Sequence, residues 1–415
     1  MLLSTLSLDK VPSYFFKGVE TRFIGRGSPA DSIQVIVQER SAWQNAARSA
    51  ELSESSYTRP EEDPTPASSL RSPLENFNRI VDDAGGARRR SMRRSFGRSS
   101  RAKQNMSGKN QASTFVYPSL GSRYDLWFLR MSGSGLGNCF YNYFQAVALA
   151  ERCDARVIVP PWFSVKIGPM LRGQSGKRFY LGMFKPYRGD IGGLRKLWIL
   201  LSRYWRRNIV EVDGSRSAAL ELGALNIVTV NSRFTFNGLY QHRDAIRQRI
   251  LGISNDPVPP DHCWGRGKFI AVHVRMGEFA QVSDTKLITG GMDNVRIPLS
   301  WYVNLVKKLR ACYSQMPIFI FSDGKEHELM PLLELGATLY RSGSDMTDLL
   351  AMSASSILVG SNSTYSRWAV FLGDMPSIWV KREVQEEKPS GADTPILYVP
   401  IDASDPALWP DLRSL

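Results

Sequence analysis

The chain has 415 residues, 43% of them hydrophobic, and a formal net charge of +14. This length and apolar content are those of a globular protein with room for two domains, and they exclude a protein that is disordered over most of its length. The positive charge indicates an anionic partner, and it leaves nucleic acid, a membrane surface and a phosphorylated substrate open.

The four cysteines show no Cys-x-x-Cys spacing, which argues against a zinc site and a dense disulfide framework. The N-terminal residues are interrupted by charge too early for a signal peptide, and no run of about 18 apolar residues occurs. We therefore expect a cytoplasmic protein, soluble or peripheral at a membrane.

The first 115 residues lack sustained hydrophobic periodicity. Between Gly85 and Lys109 there are nine Lys or Arg and no acid. Such a Ser/Arg-rich block cannot bury enough apolar surface to offset its ordering entropy, so we predict a disordered extension over residues 1–115. The block would be a tether to nucleic acid or acidic membrane, a solvated tail, or sequence upstream of a start at Met106.

Order is predicted to begin with a strand at residues 124–130. A glycine-rich turn, a helix that ends near Arg152 and a strand at 155–160 follow, and together they make a βαβ unit. The turn contains Gly133, Gly135 and Gly137, which allow close backbone approach at a helix N-terminus, where amide groups can face an anion. Their spacing does not match the dinucleotide-binding fingerprint.

Residues 166–207 are basic and aromatic, with eleven Lys or Arg against one acid, Asp190. Within them, a helix at 194–207 would place six apolar residues on one stripe: Leu194, Leu197, Trp198, Leu201, Tyr204 and Trp205. This composition is typical of an interfacial helix on an anionic bilayer. The alternative is an ordinary helix packed on the core, with its arginines reaching water.

The rest of the chain alternates between strand and helix patterns. A strand at 227–230 and a helix at 240–251 lead to a predicted interdomain hinge at 252–260. Five further strands with intervening helices predict a second doubly wound domain, and the strands are at 269–274, 318–321, 337–340, 356–359 and 377–380. The predicted fold is α/β, with Rossmann-like domains at 116–258 and 259–415 that face one another across a cleft.

Three polar loops follow strands of the second predicted domain, at residues 275–278, 322–324 and 360–366. The carboxyl ends of parallel strands meet at one edge of a sheet, where ligands bind. Arg275 would suit a phosphate, and the third loop offers hydroxyls and amides at a helix start. These features predict a diphosphate site, and we expect no metal because no Asp-x-Asp pair or His/Asp cluster occurs.

Four segments resemble one family. The segment His273–Gly277 is similar to the His-x-Arg-x-Gly-Asp signature of the α1,2-, α1,6- and protein O-fucosyltransferase superfamily. The segments 135–138, 321–323 and 352–373 resemble its Gly-Leu-Gly-Asn-Gln, Phe-Ser-Asp and distal Ser-Asn-Ser-Thr elements, in the family's order. The resemblance implies a GT-B fold and metal-independent, inverting transfer of fucose from GDP-fucose to a glycan or lipid-linked hydroxyl, without a cofactor.

The resemblance also implies roles for particular residues. Arg275 would stabilise the charge that grows on the leaving β-phosphate, and Asn138 would face donor and acceptor. The expected nucleotide-binding residues are His273, Gly277, Asp345, Asp348, Ser361, Asn362, Ser363 and Thr364. Most of these roles have a plainer alternative. It is a surface ion pair for Arg275, a buried histidine satisfied by backbone for His273, helix capping for residues 361–364, and a solvated helix start for Asp345 and Asp348.

The chain departs from the family pattern at four positions. Glu278 stands where the signature has Asp, Cys139 where it has Gln, and Arg367 where the distal segment has its first tryptophan. Met276 replaces the second arginine of the α1,6-type branch, so the linkage stays open. No general base can be named, although three acids follow the key strand: Glu278, Asp284 and Asp293.

Two other functions stay open. One is a glycosyltransferase of the same fold that uses another nucleotide sugar. The other is a non-enzymatic protein that binds nucleic acid through the Ser/Arg-rich block. The second is disfavoured because nothing in the sequence resembles an RNA- or DNA-binding module with stacking aromatics.

Overall fold

The structure is a computed structural model that describes residues 113–121, 124–131, 133–165, 179–214, 219–230, 236, 238–256, 264–277, 279–282, 285–290, 294–383, 389–391, 393–401 and 411–415. All of these residues belong to one compact unit. Most of the predicted basic extension, as well as Glu278, Asp284 and Asp293, lies outside the described residues.

The fold is α/β. Its strands are β1 (Phe115–Pro118), β2 (Tyr124–Asp125), β3 (Arg130–Met131), β4 (Arg156–Val157), β5 (Ser164–Val165), β6 (Ile209–Asp213), β7 (Leu225–Thr229), β8 (Ile270–Val274), β9 (Ile318–Ser322), β10 (Thr338–Tyr340), β11 (Ile357–Val359), β12 (Ser377–Val380) and β13 (Ile396–Val399). Its helices are α1 (Leu136–Arg152), α2 (Gly193–Trp205), α3 (Arg243–Ile253), α4 (Thr285–Thr289), α5 (Leu299–Cys312), α6 (Glu326–Leu333), α7 (Asp345–Ser353) and α8 (Thr364–Gly373). In this part of the chain, no helix is long and apolar enough to cross a bilayer.

Two parallel sheets organise the described residues. One has four strands in the order β4-β1-β7-β6, and the other has six in the order β10-β9-β8-β11-β12-β13. A small third sheet joins β2, β3 and β5. The doubly wound prediction for the C-terminal half is confirmed with one strand more than expected, β13. The division into two domains at residue 258 and the cleft between them stay predictions.

The predicted first strand at 124–130 is wrong. The first parallel strand is β1, and the later segment turns, because the carboxylate of Asp125 accepts hydrogen bonds from the Tyr117 hydroxyl at 2.8 and 2.9 Å and from the Trp127 amide at 2.8 Å. Trp127 has a positive φ of 69°. The short strands β2 and β3 pair antiparallel on either side of this turn.

The predicted hinge at 252–260 is wrong in its first two residues, because helix α3 continues to Ile253. Gly252 lies against the ring of Tyr187, where an added Cβ would be 2.6 Å from Cε2. The glycine therefore permits close packing of a helix rather than bending between domains.

Helix α1 of the first sheet packs on helix α8 of the second, and Trp368 lies at the centre of that contact. Trp368 is fully buried, and its ring lies 5.7 Å from that of Phe140 and 5.4 Å from that of Phe144. Its Nε1 donates a 2.8 Å hydrogen bond to the Gly137 carbonyl. The start of one helix is thereby held against the start of the other.

We expect Gly137→Ala to destabilise the protein. The added Cβ would lie 2.7 Å from Thr364 Oγ1 and 2.8 Å from the Thr364 carbonyl carbon, so backbone would have to move. Overpacking of this kind costs about 1–3 kcal/mol, which exceeds the helix propensity that alanine adds, up to about 1 kcal/mol. Urea unfolding measures the difference.

Gly135→Ala is the matched control, because nothing lies within 4 Å of a Cβ at that position. It should lower the unfolding free energy by less than about 1 kcal/mol, the effect of a changed helix cap. Equal losses in the two variants would contradict the close contact between Gly137 and Thr364.

Candidate functional site

Three loops meet at the carboxyl edge of the second sheet, as the sequence predicts. Strand β8 lies between β9 and β11, with Val274 opposite Ser322 and Val272 opposite Val359. Because the three strands are parallel and adjacent, the residues that follow them lie side by side. Contacts between these loops bring Arg275, Asp323 and Ser361 into one cluster.

Arg275 is held by Asp323 at this edge. Its Nη1 lies 2.7 Å from Asp323 Oδ2, and both side chains are mostly buried. The guanidinium also lies over the ring of Phe279, with Cζ 5.3 Å from the centroid. Arg275 is therefore in an ion pair, as its alternative predicted, but the pair is mostly buried and not a surface pair. Arg275 Nε has no hydrogen-bond partner among the described residues.

Asp323 is fixed by the backbone on its other side. Its Oδ1 accepts a 2.8 Å hydrogen bond from the Met276 amide, and the Gly277 amide bonds to the same carboxylate. Burial alone would raise the pKa of Asp323, but Arg275 and these amides bring it below its ordinary value. Asp323 therefore stays ionised and orients Arg275.

His273 is buried behind the arginine. Its Nδ1 lies 2.9 Å from Ser361 Oγ and 2.5 Å from Ser366 Oγ, and the two hydroxyls lie 3.1 Å apart. Burial lowers the pKa of His273 to about 3, and the nearby charge of Arg275 acts in the same direction. A neutral imidazole thus ties the loop after β11 to strand β8. The plainer alternative predicted a buried histidine with backbone partners, and the partners of Nδ1 are instead two serine hydroxyls.

The loop after β11 leads directly into helix α8. Ser363 caps this helix, since its Oγ accepts a 3.2 Å hydrogen bond from the Tyr365 amide. Thr364 lies against Gly137 at the start of α1. Two asparagines beside this contact have a buried polar atom without a partner among the described residues, Oδ1 of Asn138 and Nδ2 of Asn362.

Asp345 and Asp348 lie in the first turn of helix α7 and are engaged within the protein. Asp348 Oδ1 accepts hydrogen bonds from the amide and the hydroxyl of Ser342, at 3.1 and 2.6 Å. The Asp345 carbonyl accepts a hydrogen bond from the Tyr365 hydroxyl. The tyrosine ring in turn lies 5.5 Å from that of His273, so helix α7 is connected to the cluster through Tyr365.

Two residues of the cluster were missed as site residues. Asp323 belongs to the Phe-Ser-Asp segment, and its place after the strand next to β8 could have identified it as the partner of Arg275. Ser366 carries no such signal, because a serine in the first turn of a helix is common and only the fold brings it to His273. The binding and catalytic roles of all ten predicted residues stay predictions.

A metal-binding group is not found in the part of the chain that the structure describes. No three or more His, Cys, Asp or Glu side chains lie together there in a way that could hold an ion. The expectation of a metal-independent site stays a prediction.

The chain is similar to solved structures of fucosyltransferases. NodZ α-1,6-fucosyltransferase soaked with GDP-fucose is 13% identical, with a TM-score of 0.35 over 66% of this chain and 97% of that one. NodZ from Bradyrhizobium is 13% identical, with a TM-score of 0.31 over 63% and 93% of the two chains. POFUT1 in complex with GDP is 12% identical, with a TM-score of 0.34 over 66% and 99%.

No protein-family profile and no curated protein sequence matches the chain. The identities and TM-scores of the fucosyltransferase structures are too low to transfer a substrate or an activity. The function therefore has to be inferred from the cluster of side chains itself.

We expect His273 to make stability depend on pH. In the unfolded chain it takes up a proton below its ordinary pKa of 6.5, whereas the folded protein keeps it neutral down to about pH 3. The unfolded state then binds more protons, so this residue lowers the unfolding free energy by about 1.4 kcal/mol for each pH unit below 6.5.

His273→Asn should remove this contribution, and the gap between its unfolding free energy and that of the wild type should narrow as the pH falls from 7 to 5 by about 1–2 kcal/mol. The matched control is His327→Asn, because His327 is exposed on helix α6. Denaturation curves across that range give the slopes. A gap that does not change with pH in His273→Asn would contradict a neutral, buried imidazole.

Proposed function

We propose that the chain is an inverting, metal-independent glycosyltransferase that transfers fucose from GDP-fucose to a hydroxyl of a glycan or glycoconjugate. The observation that carries this proposal is the convergence of Arg275, which directly follows the buried strand β8, with the N-termini of helices α1 and α8. The contacts that bring them together are His273 to Ser361 and Gly137 to Thr364. The resemblance of the same segments to the fucosyltransferase signatures supports the choice of donor.

The electrostatics of the cluster suit a diphosphate. Each helix N-terminus carries a partial positive charge and leaves its first amide groups unpaired by the helix. Arg275 adds a full charge beside them. Asp323 binds Nη1 of the guanidinium, and the buried Nε–H has no hydrogen-bond partner among the described residues. These positive groups are already in place for an anionic oxygen, so little reorganisation of the protein is needed when a phosphate leaves.

The two asparagines offer complementary hydrogen-bonding groups. Native proteins pair nearly all of their buried polar atoms, so an unpaired one is a candidate ligand-binding atom. Asn362 Nδ2 is a donor and would suit a phosphate oxygen or a sugar oxygen. Asn138 Oδ1 is an acceptor and would suit a hydroxyl of the sugar or of the acceptor.

The proposed reaction is a single displacement. The acceptor hydroxyl oxygen attacks the anomeric carbon of the sugar and releases its proton to water, and the bond to the β-phosphate oxygen breaks with its electron pair on the phosphate. Arg275 would stabilise the charge that develops there, which by analogy with an oxyanion donor is worth roughly 3 kcal/mol of barrier. Asp323 is an unsuitable proton acceptor, because its pKa is lowered and it is paired with Arg275.

Two other functions make different demands on the chain. A transferase for another nucleotide sugar would keep the diphosphate contact at Arg275 and differ in base or sugar recognition. A nucleic-acid-binding protein would depend on the Ser/Arg-rich block, which lies outside the described residues.

We expect Arg275→Ala to abolish thermal stabilisation by GDP and to lower fucose transfer by about 100-fold or more, because one prearranged cation at the leaving group is lost. GDP, GDP-fucose, GDP-mannose and UDP-sugars are compared on the full chain by thermal shift, and hydrolysis and transfer are measured with and without EDTA. The control is Arg413→Ala, which removes an exposed arginine near the C-terminus.

Arg275→Ala leaves Asp323 mostly buried without its ion pair, which could lower stability by itself. Arg275→Ala combined with Asp323→Ala removes that charge as well, so it should regain stability and still fail to bind GDP. GDP stabilisation that survives in this double variant, or nucleic-acid binding by the wild type in the absence of any response to nucleotides, would refute the proposed function.

A further inference from the structure

Helix α2 packs on the first sheet through a narrow face. Ile199 and Leu200 are buried in a cluster with Phe115, Ile158 and Leu225. The side of α2 that carries these two residues therefore points into the protein, and the sides away from it point outward.

Two cations on the inner side hold this orientation. The Lys196 ammonium donates hydrogen bonds to the carbonyls of Val159, at 2.6 Å, and of Trp127. The Arg203 guanidinium donates to the carbonyls of Gly223 and Ser113. Both side chains bind backbone carbonyls, so these two cations of the helix lie on its inner side.

The outward side of α2 is apolar. Leu194, Trp198, Leu201 and Trp205 follow one another at spacings of four, three and four residues, which is one face of a helix. Leu194 is 85% exposed, Trp198 68% and Trp205 79%. A surface helix ordinarily buries its apolar face, whereas α2 turns this apolar face to the solvent. The alternative prediction, that the stripe packs on the core, is therefore wrong for these residues.

Further exposed apolar side chains flank the helix. Leu126 and Phe128 lie on either side of Trp127, whose carbonyl binds Lys196, and Phe128 is 75% exposed. Leu222 precedes Gly223, whose carbonyl binds Arg203, and is 66% exposed. The hydrogen bonds that orient the helix therefore also hold these turns against its inner side.

The exposed charged side chains of helix α2 and of the turn that follows it are positive. Arg195, Arg206 and Arg207 are exposed, and residues 191–208 contain no acid. Asp190 precedes them, but it is largely buried and its carboxylate binds Arg249 at 2.6 Å, so it does not offset the surface charge.

We propose that helix α2 binds the surface of an anionic phospholipid bilayer, with Leu194, Trp198, Leu201 and Trp205 in the interface and the exposed arginines at the headgroups. Leucine and tryptophan on one face with arginine beside them is the composition that lies in the headgroup region. This proposal is independent of the proposed transferase, whose donor cluster it does not use.

Charge favours a bilayer over other occupants. A second copy would bring two sets of exposed arginines together, and the Ser/Arg-rich residues 85–109 carry the same sign of charge. Nucleic acid matches the charge but offers no partner for leucine side chains. An anionic bilayer provides both the charge and the apolar layer.

The test is sedimentation of the full chain with vesicles. Binding is expected to vesicles of equal parts phosphatidylserine and phosphatidylcholine, to weaken with salt, and to be much weaker to phosphatidylcholine alone. Trp198→Ser with Trp205→Ser should lower binding by about tenfold or more, since two interfacial indoles are lost. Arg195→Gln should lower it by about fivefold, the effect of one basic residue near the surface.

The control is Met330→Ser, which removes an apolar side chain that is 43% exposed on helix α6. It should bind vesicles like the wild type. No binding of the wild type to anionic vesicles, or an equal loss in Met330→Ser, would overturn the proposal. So would a dimer or an RNA complex that the two tryptophan substitutions abolish while vesicle binding persists.

Discussion

The buried indole of Trp368 is the contact on which the candidate site depends. It joins helix α8 to helix α1 through the aromatic cluster of Phe140 and Phe144 and a hydrogen bond to the Gly137 carbonyl. Only a glycine lets the backbone of α1 approach Thr364 so closely. Without this packing, the two helix N-termini would belong to separate sheets and would not form one electropositive region.

Burial and ion pairing together determine which side chains of the cluster are charged. Strand β8 is buried throughout, so His273 is neutral, whereas Arg275 comes one position after the strand and pairs with Asp323. The acid in turn is held ionised by Arg275 and by backbone amides. The end of one strand thus provides two functions: the neutral His273 binds the neighbouring loop, and Arg275 supplies a cation whose position is fixed.

Helix α2 shows how the same residue type can serve the fold or the surface. Lys196 and Arg203 bind backbone carbonyls and determine the rotation of the helix, whereas Arg195 stays exposed. The rotation leaves Trp198 and Trp205 in water, where their apolar area is unfavourable unless something covers it. The proposed lipid contact would relieve that exposure.

Local pattern by itself determined five of the six strands of the second sheet and the polar loops after β8, β9 and β11, because burial of parallel strands leaves continuous apolar runs and their ends meet at one edge. Tertiary structure decided the rest. The Tyr117–Asp125 hydrogen bonds turn a segment whose composition indicates a strand, and the contact of Gly137 with Thr364 joins residues far apart in sequence. The direction in which the stripe of α2 faces is also tertiary, because an apolar stripe has the same sequence whether it meets a core or a membrane, and the carbonyls that orient it come from other parts of the chain.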